Sequence, residues 1–122
     1  MSGKTILYVE DNEMNRKIVR DLLKRTKYQL IEAHDGEAGV AVALEKRPDL
    51  ILMDIQLPVV DGYEATRRLK ADPILAAIPV IVITSYALSG DEAKARAAGC
   101  DDYVTKPYSP RQVLSKVKEF LH

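Results

Sequence analysis

The chain of 122 residues is 47% hydrophobic and 30% charged, which excludes a disordered or fibrous protein and is typical of a single globular domain. Basic and acidic residues both number 18, so the net charge excludes a broad electrostatic attraction to nucleic acid or to an anionic membrane. Cys100 is the single cysteine, which excludes an internal disulfide, and no apolar run approaches the roughly 20 residues of a membrane helix, so we expect a cytoplasmic protein.

Short apolar runs rich in β-branched residues alternate with longer segments of helical period. The predicted strands are residues 5–9, 29–33, 50–53, 80–83 and 102–104. The third and fourth runs are almost entirely apolar, as expected for parallel strands that are buried on both faces. The pattern predicts an α/β fold in which a doubly wound, five-stranded parallel sheet is flanked by five helices.

The first three helices are predicted from apolar spacing and from their termini. Met14, Ile18 and Leu22 recur at i, i+4 and i+8, which places them on one face of a first helix that runs to about residue 24. The second helix must end by Arg47, because the proline that follows disfavours a helical conformation there. The third helix is predicted over residues 63–71.

The last two helices have capping signals. Ser89 and Glu92 have the spacing of a capping box, and Gly99 can end this fourth helix in a left-handed conformation. Ser109 and Pro110 predict the start of the fifth helix. Its buried stripe is predicted to contain Val113, Val117 and Leu121. Since no linker or repeat interrupts the pattern, we expect residues 1–122 to form one domain without an output domain.

Side chains that could bind a ligand or take part in a reaction follow four of the predicted strands. Glu10 and Asp11 follow the first strand, Asp54 the third, Thr84 the fourth and Lys106 the fifth. Each one alone has an ordinary explanation as a helix cap, a turn or a surface residue. In an open parallel sheet, however, ligands bind beyond the carboxyl ends of the strands, where loops and helix N-termini converge. Their coincidence at one edge therefore favours a functional site.

The chemistry of these groups indicates a cation and a phosphoryl group. If the first and third strands are neighbours, Asp11 and Asp54 lie close together and repel unless a cation separates them. Mg²⁺ prefers such oxygen ligands, and Mn²⁺ can substitute for it. Asp54 could then act as a nucleophile toward phosphorus. Lys106 and the Thr84 hydroxyl could hold phosphate oxygens.

Taken together, these motifs resemble the receiver domain of two-component response regulators over essentially the whole chain. The residues that carry the resemblance are Glu10-Asp11, Asp54 with Ile55-Gln56-Leu57-Pro58, Asp61-Gly62, Ile83-Thr84-Ser85 and Lys106-Pro107. The resemblance implies a flavodoxin-like fold with strand order 2-1-3-4-5. Within the family, single-domain regulators of the DivK type look most similar around the first acidic pair and around Lys106-Pro107.

The resemblance also implies a role for each position. Asp54 would accept a phosphoryl group from the phosphohistidine of a sensor histidine kinase or a histidine phosphotransfer protein. The implied metal ligands are Asp11, Asp54 and the backbone carbonyl of Gln56, with Glu10 acting through water. The implied switch and phosphate-binding residues are Thr84, Lys106 and the aromatic Tyr103. Such a protein catalyses only its own phosphorylation and dephosphorylation, and it signals by changing the surface that a downstream protein binds.

Three tyrosines indicate where partners bind. Tyr86, Tyr103 and Tyr108 lie near the ends of the last two strands, and tyrosine is enriched in binding hot spots. We expect this face to bind a partner protein or a second copy of the chain. His34 and His122 are expected at the surface, so the phosphohistidine should come from another protein.

Three other functions remain open. A receiver fold that binds partners without phosphorylation, a pseudo-receiver, usually lacks one of the acids, the threonine or the lysine. A magnesium-dependent phosphatase with an aspartyl nucleophile needs an acid two residues after it, and here that position is Gln56. A flavin protein is disfavoured because the first loop carries acids where a phosphate cradle needs small residues.

Overall fold

The computed structural model describes residues 3–55, 57, 59–84, 91–105 and 110–121. For Thr84 and four other residues at helix or strand ends, the description covers the backbone alone. Several residues with predicted roles lie outside the described part of the chain: Gln56, Ser85, Tyr86, Ser89, Lys106, Pro107, Tyr108, Ser109 and His122.

Five parallel strands form one sheet in the order β2-β1-β3-β4-β5. They are β1 (Thr5–Val9), β2 (Gln29–Ala33), β3 (Leu50–Asp54), β4 (Val80–Thr84) and β5 (Asp102–Thr105). The predicted fold class and strand order are therefore confirmed. The last three strands each run one residue further than the apolar pattern indicated, so β3 ends on Asp54 itself and β4 ends on Thr84.

The described residues also form five α-helices and one short 3₁₀ turn. The helices are α1 (Glu13–Leu23), α2 (Gly36–Lys46), α3 (Gly62–Ala71), α4 (Asp91–Ala97) and α5 (Pro110–Phe120), and the turn covers Leu75–Ala77. Asn12, Asp35 and Asp61 cap the first three helices, because each side chain accepts a hydrogen bond from the backbone three residues later. Within the described ranges, no helix has the length and apolar character that crossing a membrane requires.

Each face of the sheet has its own hydrophobic core. Ile6 and Tyr8 of β1 point to the face covered by α1 and α5, where the predicted stripe of Val113, Val117 and Leu121 is buried. Leu7 and Val9 point to the opposite face, which α2, α3 and α4 cover. Because its side chains alternate between two cores, β1 is buried on both faces, as expected for a strand inside a parallel sheet.

The first helix presents a different face to the sheet from the one that its apolar spacing favours. Met14 is 69% exposed and Ile18 is 47% exposed. The residues that pack inward are Arg16, Val19 and Leu23. An arginine occupies the inward face because its guanidinium reaches acceptors at the carboxyl edge of the sheet, so its charge is paired although it is buried. The helix is therefore where the spacing predicts it, but its regular apolar stripe faces outward.

Backbone segments pack closely at both ends of the connection between β3 and α3. A Cβ atom at Gly62 would collide with the backbone carbonyl of Asp54, and one at Gly36 would collide with the carbonyl of Val60. Both positions therefore need glycine for close backbone approach. Within the same loop, Val59 is 77% exposed and has a φ of 68°. A β-branched residue in this left-handed region is strained.

The strain at Val59 predicts a stabilising substitution. We expect Val59→Asn to raise the free energy of unfolding by about 1 kcal/mol, because asparagine tolerates the left-handed region and the valine contributes little burial there. Urea denaturation of both proteins measures the difference. Ile74→Asn is a matched control, since Ile74 is also an exposed β-branched residue but has a φ of −79°. Equal gains at both positions would show that the effect comes from replacing an exposed apolar side chain by an amide rather than from relief of backbone strain.

Candidate functional site

The pairing of β1 with β3 brings three carboxylates together. Val9 lies opposite Met53 in the register, so the residues that follow these two meet at the carboxyl edge of the sheet. One carboxylate oxygen each from Glu10, Asp11 and Asp54 lies within 4.8 Å of the others. The sequence pattern predicted that Asp11 and Asp54 would meet if their strands were neighbours, and the structure shows this arrangement.

Burial divides the three acids into two kinds. Glu10 is 1% exposed and Asp54 is 2% exposed, whereas Asp11 lies at the surface. Ionised carboxylates at this separation repel each other, and burial adds a desolvation cost unless a positive charge is present. An oxygen-only donor set of this kind fits a hard divalent cation such as Mg²⁺ or Mn²⁺. The exposed Asp11 leaves the cluster open to solvent on one side.

The side chain of Glu10 is fixed by hydrogen bonds from its own segment. The Tyr8 hydroxyl donates to Glu10 Oε1 over 3.1 Å, and this pair is buried. The backbone N–H of Asn12 donates to Glu10 Oε2 over 3.2 Å. Sequence reasoning gave Tyr8 no role, although a signal was present: Tyr8 is a tyrosine in an otherwise aliphatic strand, two residues before the acid and therefore on the same side of the strand.

The backbone of Glu10 is held from the helix side by Arg16. Arg16 Nη1 donates to the Glu10 carbonyl oxygen over 2.7 Å. The same guanidinium pairs with Glu13 at 2.6 Å and with Glu32 at 3.2 Å. Arg16 is 7% exposed and its contact with the Glu10 carbonyl is buried, whereas the Glu13 carboxylate lies at the surface. The contacts of Arg16 connect the loop that carries the two acids to α1 and to β2.

A second arginine extends this network. Arg20 Nε and Nη2 donate to the two carboxylate oxygens of Glu32, both over 2.7 Å. This bidentate hydrogen bonding lowers the pKa of Glu32 below its ordinary value, and burial opposes the shift. The same hydrogen bond raises the pKa of Arg20, so both groups are held in their charged forms.

The structure places the backbone of Thr84 at the same edge but does not extend to every predicted residue. Asp54 pairs with Ile83 in the register, and the Ile55 N–H donates to the Ile83 carbonyl over 3.1 Å. Thr84 is thus the next residue beyond Asp54 on the adjacent strand, and it pairs with Thr105 of β5. The Thr84 side chain, Gln56 and Lys106 lie outside the part of the chain that the structure describes, so their predicted roles stay predictions.

Tyr103 lies in a groove on another surface of the domain. It is half-buried, and the Arg96 guanidinium carbon lies 5.5 Å from the centroid of its ring, a cation–π contact. The groove has a volume of about 610 Å³ and lies between α4, β5 and α5. Lys116 closes part of it by pairing with Asp102 at 2.8 Å. Tyr86 and Tyr108, the other two tyrosines predicted on this face, lie outside the described residues.

Comparison with known proteins agrees with this geometry. A profile of the response regulator receiver domain matches residues 6–118. The polar-differentiation response regulator DivK of Brucella anthropi is 46% identical over 118 residues, which cover 97% of this chain and 96% of that protein. The same regulator from Brucella ovis is 45% identical over the same shares of the two chains.

Solved structures are similar in fold and in sequence. The receiver domain of the sensor histidine kinase PA1611 from Pseudomonas aeruginosa, with a magnesium ion coordinated in its active site cleft, has a TM-score of 0.91, 36% identity and 98% coverage of both chains. The Mn²⁺-bound form of the response regulator Rcp1 has a TM-score of 0.82 and 31% identity, covering 95% of this chain and 90% of its own. The chemotaxis response regulator CheY4 of Vibrio cholerae shares the fold. It has a TM-score of 0.91 and 24% identity, covering 98% of this chain and 99% of its own.

The ion pair between Arg20 and Glu32 predicts a pH-dependent contribution to stability. Because the folded-state pKa of Glu32 is lowered, its contribution is present above the unfolded glutamate pKa of roughly 4.3 and is lost as pH falls through the folded value. We expect Glu32→Gln to destabilise the protein at pH 7, and we expect the difference from the parent to shrink as pH falls through the lowered folded-state pKa of Glu32. Urea denaturation at several pH values tests this, with the exposed Glu45→Gln as control. A constant difference across pH would contradict it.

Proposed function

This chain belongs to the response regulator receiver domain family of two-component signalling, and we propose that it accepts a phosphoryl group on Asp54 in a reaction that depends on a divalent cation. The observation that carries the proposal is the convergence of Glu10, Asp11 and Asp54 within 4.8 Å at one edge of the sheet. The donor would be a phosphohistidine of a sensor histidine kinase or a histidine phosphotransfer protein.

The donor set supports Mg²⁺ as the cation, with Mn²⁺ as a substitute. Asp11 and Asp54 would bind it directly, together with the backbone carbonyl of Gln56, and Glu10 would act through water. When bound, the ion would neutralise the negative charge that gathers between the carboxylates and the incoming phosphoryl oxygens. The relatives from Pseudomonas aeruginosa and the Rcp1 protein, which hold Mg²⁺ and Mn²⁺ respectively, support this assignment.

Asp54 is placed to act as the nucleophile. One of its carboxylate oxygens would form a bond to phosphorus while the bond from phosphorus to the donor imidazole nitrogen breaks, and the electron pair returns to the imidazole. The pairing of β3 on both sides supports this role, because it holds the backbone of the buried Asp54 at the end of the strand. Lys106 and the Thr84 hydroxyl would hold phosphoryl oxygens as they become more negative.

A change of surface would follow from the same contacts. A hydroxyl at Thr84 that moves toward the phosphoryl group would leave space at the end of β4, into which Tyr103 of the neighbouring strand would turn. Tyr103 now lies in the groove beside Arg96, so its movement would reshape the face that we assign to the downstream protein or to a second copy of the chain. Tyr86 and Tyr108 belong to the same proposed face.

Two of the three alternative functions, the pseudo-receiver and the phosphatase, are less well supported by the residues of the site. A pseudo-receiver usually lacks part of the acid cluster, whereas here the three carboxylates are present and lie close together. A phosphatase would need a proton-transferring group at position 56, where this chain has glutamine. Slow loss of the phosphoryl group by hydrolysis is the turnover we expect.

The outward face of α1 supports a docking site for the phosphodonor. Met14 and Ile18 are exposed on the helix that starts directly after the acid pair. Ile18, Asp21, Leu22 and Arg25 line a cavity of about 240 Å³ at the C-terminal end of α1 and just beyond it. A partner that packs on this apolar face would bring its phosphohistidine close to Asp54, because Asp11 and Met14 are only three residues apart.

The first prediction from this proposal concerns Asp54. Incubation with acetyl phosphate and Mg²⁺ should add one phosphoryl group to the parent protein, observed by intact-mass spectrometry, and Asp54→Asn should abolish this addition because the amide is not a nucleophile. Asp49→Asn is the matched control, since Asp49 precedes the same strand at the opposite edge of the sheet. It should be labelled like the parent.

Other outcomes would overturn the proposal. A parent protein that gains no phosphoryl group from acetyl phosphate, or from any histidine kinase of its source organism, would be a pseudo-receiver. Labelling that persists in Asp54→Asn would place the acceptor elsewhere. Labelling that persists after removal of divalent ions with a chelator would exclude the cation from the reaction.

The second prediction concerns donor docking. Ile18→Glu should lower the rate of transfer from a phosphohistidine protein by about tenfold or more, because it places a charge at the centre of the apolar contact. Labelling by acetyl phosphate should be unchanged, since a small donor does not contact α1. Leu44→Glu is a matched control, because Leu44 is 48% exposed on α2 and Ile18 is 47% exposed. Equal effects of both variants would contradict a docking role for α1.

A further inference from the structure

We propose that Tyr8 is a positioning residue of the cation site, whose buried hydroxyl orients Glu10 toward the other two carboxylates. This inference deepens the proposed function and rests on it. Its basis is the hydrogen bond of 3.1 Å between the Tyr8 hydroxyl and Glu10 Oε1, in a pair that is 0% and 1% exposed respectively.

Tyr8 is a rigid support for this contact. Its ring belongs to the core between the sheet and helices α1 and α5, where Val19 and Val117 are also buried. Packing on all sides fixes both side-chain torsions of the ring, so the hydroxyl has a single position at the top of the core. The strand direction then places this hydroxyl beside the carboxyl edge, two residues before Glu10 leaves β1.

Glu10 needs such a support because its side chain is long. A glutamate has three side-chain torsions, and a buried carboxylate that moves among several rotamers would present its charge to the cation for only part of the time. The Tyr8 hydroxyl fixes one oxygen, the Asn12 N–H fixes the other, and Arg16 fixes the backbone carbonyl. Of these three contacts, the one with Tyr8 can be removed by a substitution that deletes a single oxygen atom.

The proposal predicts weaker metal binding when the hydroxyl is removed. Tyr8→Phe keeps the ring in the core and deletes one oxygen, so Glu10 loses the donor that orients it. Loss of an outer hydrogen bond to a metal-binding group typically lowers affinity 10-fold to 100-fold, and we expect about tenfold here. Binding of Mn²⁺ to the unphosphorylated protein, measured by electron paramagnetic resonance of the free ion, gives the affinity directly, and competition gives the value for Mg²⁺.

Two further variants separate positioning from general loss of structure. Tyr28→Phe removes a hydroxyl from a second tyrosine, which is half-buried against the same core just before β2, and it should leave the Mn²⁺ affinity unchanged. In a Glu10→Ala background, Tyr8→Phe should have no further effect on affinity, because the hydroxyl would act only through the Glu10 side chain. Circular dichroism and thermal melting without metal establish that each variant is folded.

The outcomes are distinct for the two levels of the proposal. Tyr8→Phe with unchanged or tighter Mn²⁺ binding would overturn the role of Tyr8 while the parent still binds metal and is phosphorylated. An effect of Tyr8→Phe that persists in the Glu10→Ala background would show that the tyrosine acts on the fold rather than through Glu10. A parent protein that binds neither Mn²⁺ nor Mg²⁺ would overturn the proposed function itself.

Discussion

The parallel pairing of β1 with β3 is the contact on which the rest of the molecule depends. It sets Val9 opposite Met53, and as a result the acids that follow each strand converge at one edge of the sheet. Two of these acids are almost completely buried, a costly arrangement that the hydrophobic packing of the strands must support. The apolar strand cores therefore stabilise the fold and also enforce the proximity of like charges that a cation would relieve.

The hydrogen bonds around Glu10 connect this edge to the rest of the domain. Tyr8 reaches it from the core, Arg16 reaches it from α1, and the Ala33 carbonyl accepts the Glu10 N–H over 3.0 Å. Contacts from β1, α1 and β2 thus hold Glu10, the first through its carboxylate and the other two through its backbone. Buried charged groups with several short contacts are rigid, so Glu10 is held in position before any ligand arrives.

Much of this architecture was predictable from the sequence, because buried strands and strand-end acids leave strong local signals. The five strands, the helix caps at Asp35 and Asp61 and the left-handed Gly99, with a φ of 101°, all follow short-range rules. The exposed stripe of α1 was not predictable, since the inward position of Arg16 depends on acceptors on other elements. The left-handed conformation of Val59 was likewise not predictable, because local sequence disfavours it at a β-branched residue.

The two faces of α1 differ in how freely they can change. Arg16, Val19 and Leu23 are tied to the core and to the acid loop, whereas Met14 and Ile18 contribute little burial to the fold. Substitutions on the outward face can therefore accumulate without loss of stability or of chemistry. Variation of these few side chains would allow related signalling pairs in one cell to remain specific. Each regulator would then accept phosphoryl groups from its own donor and not from the others.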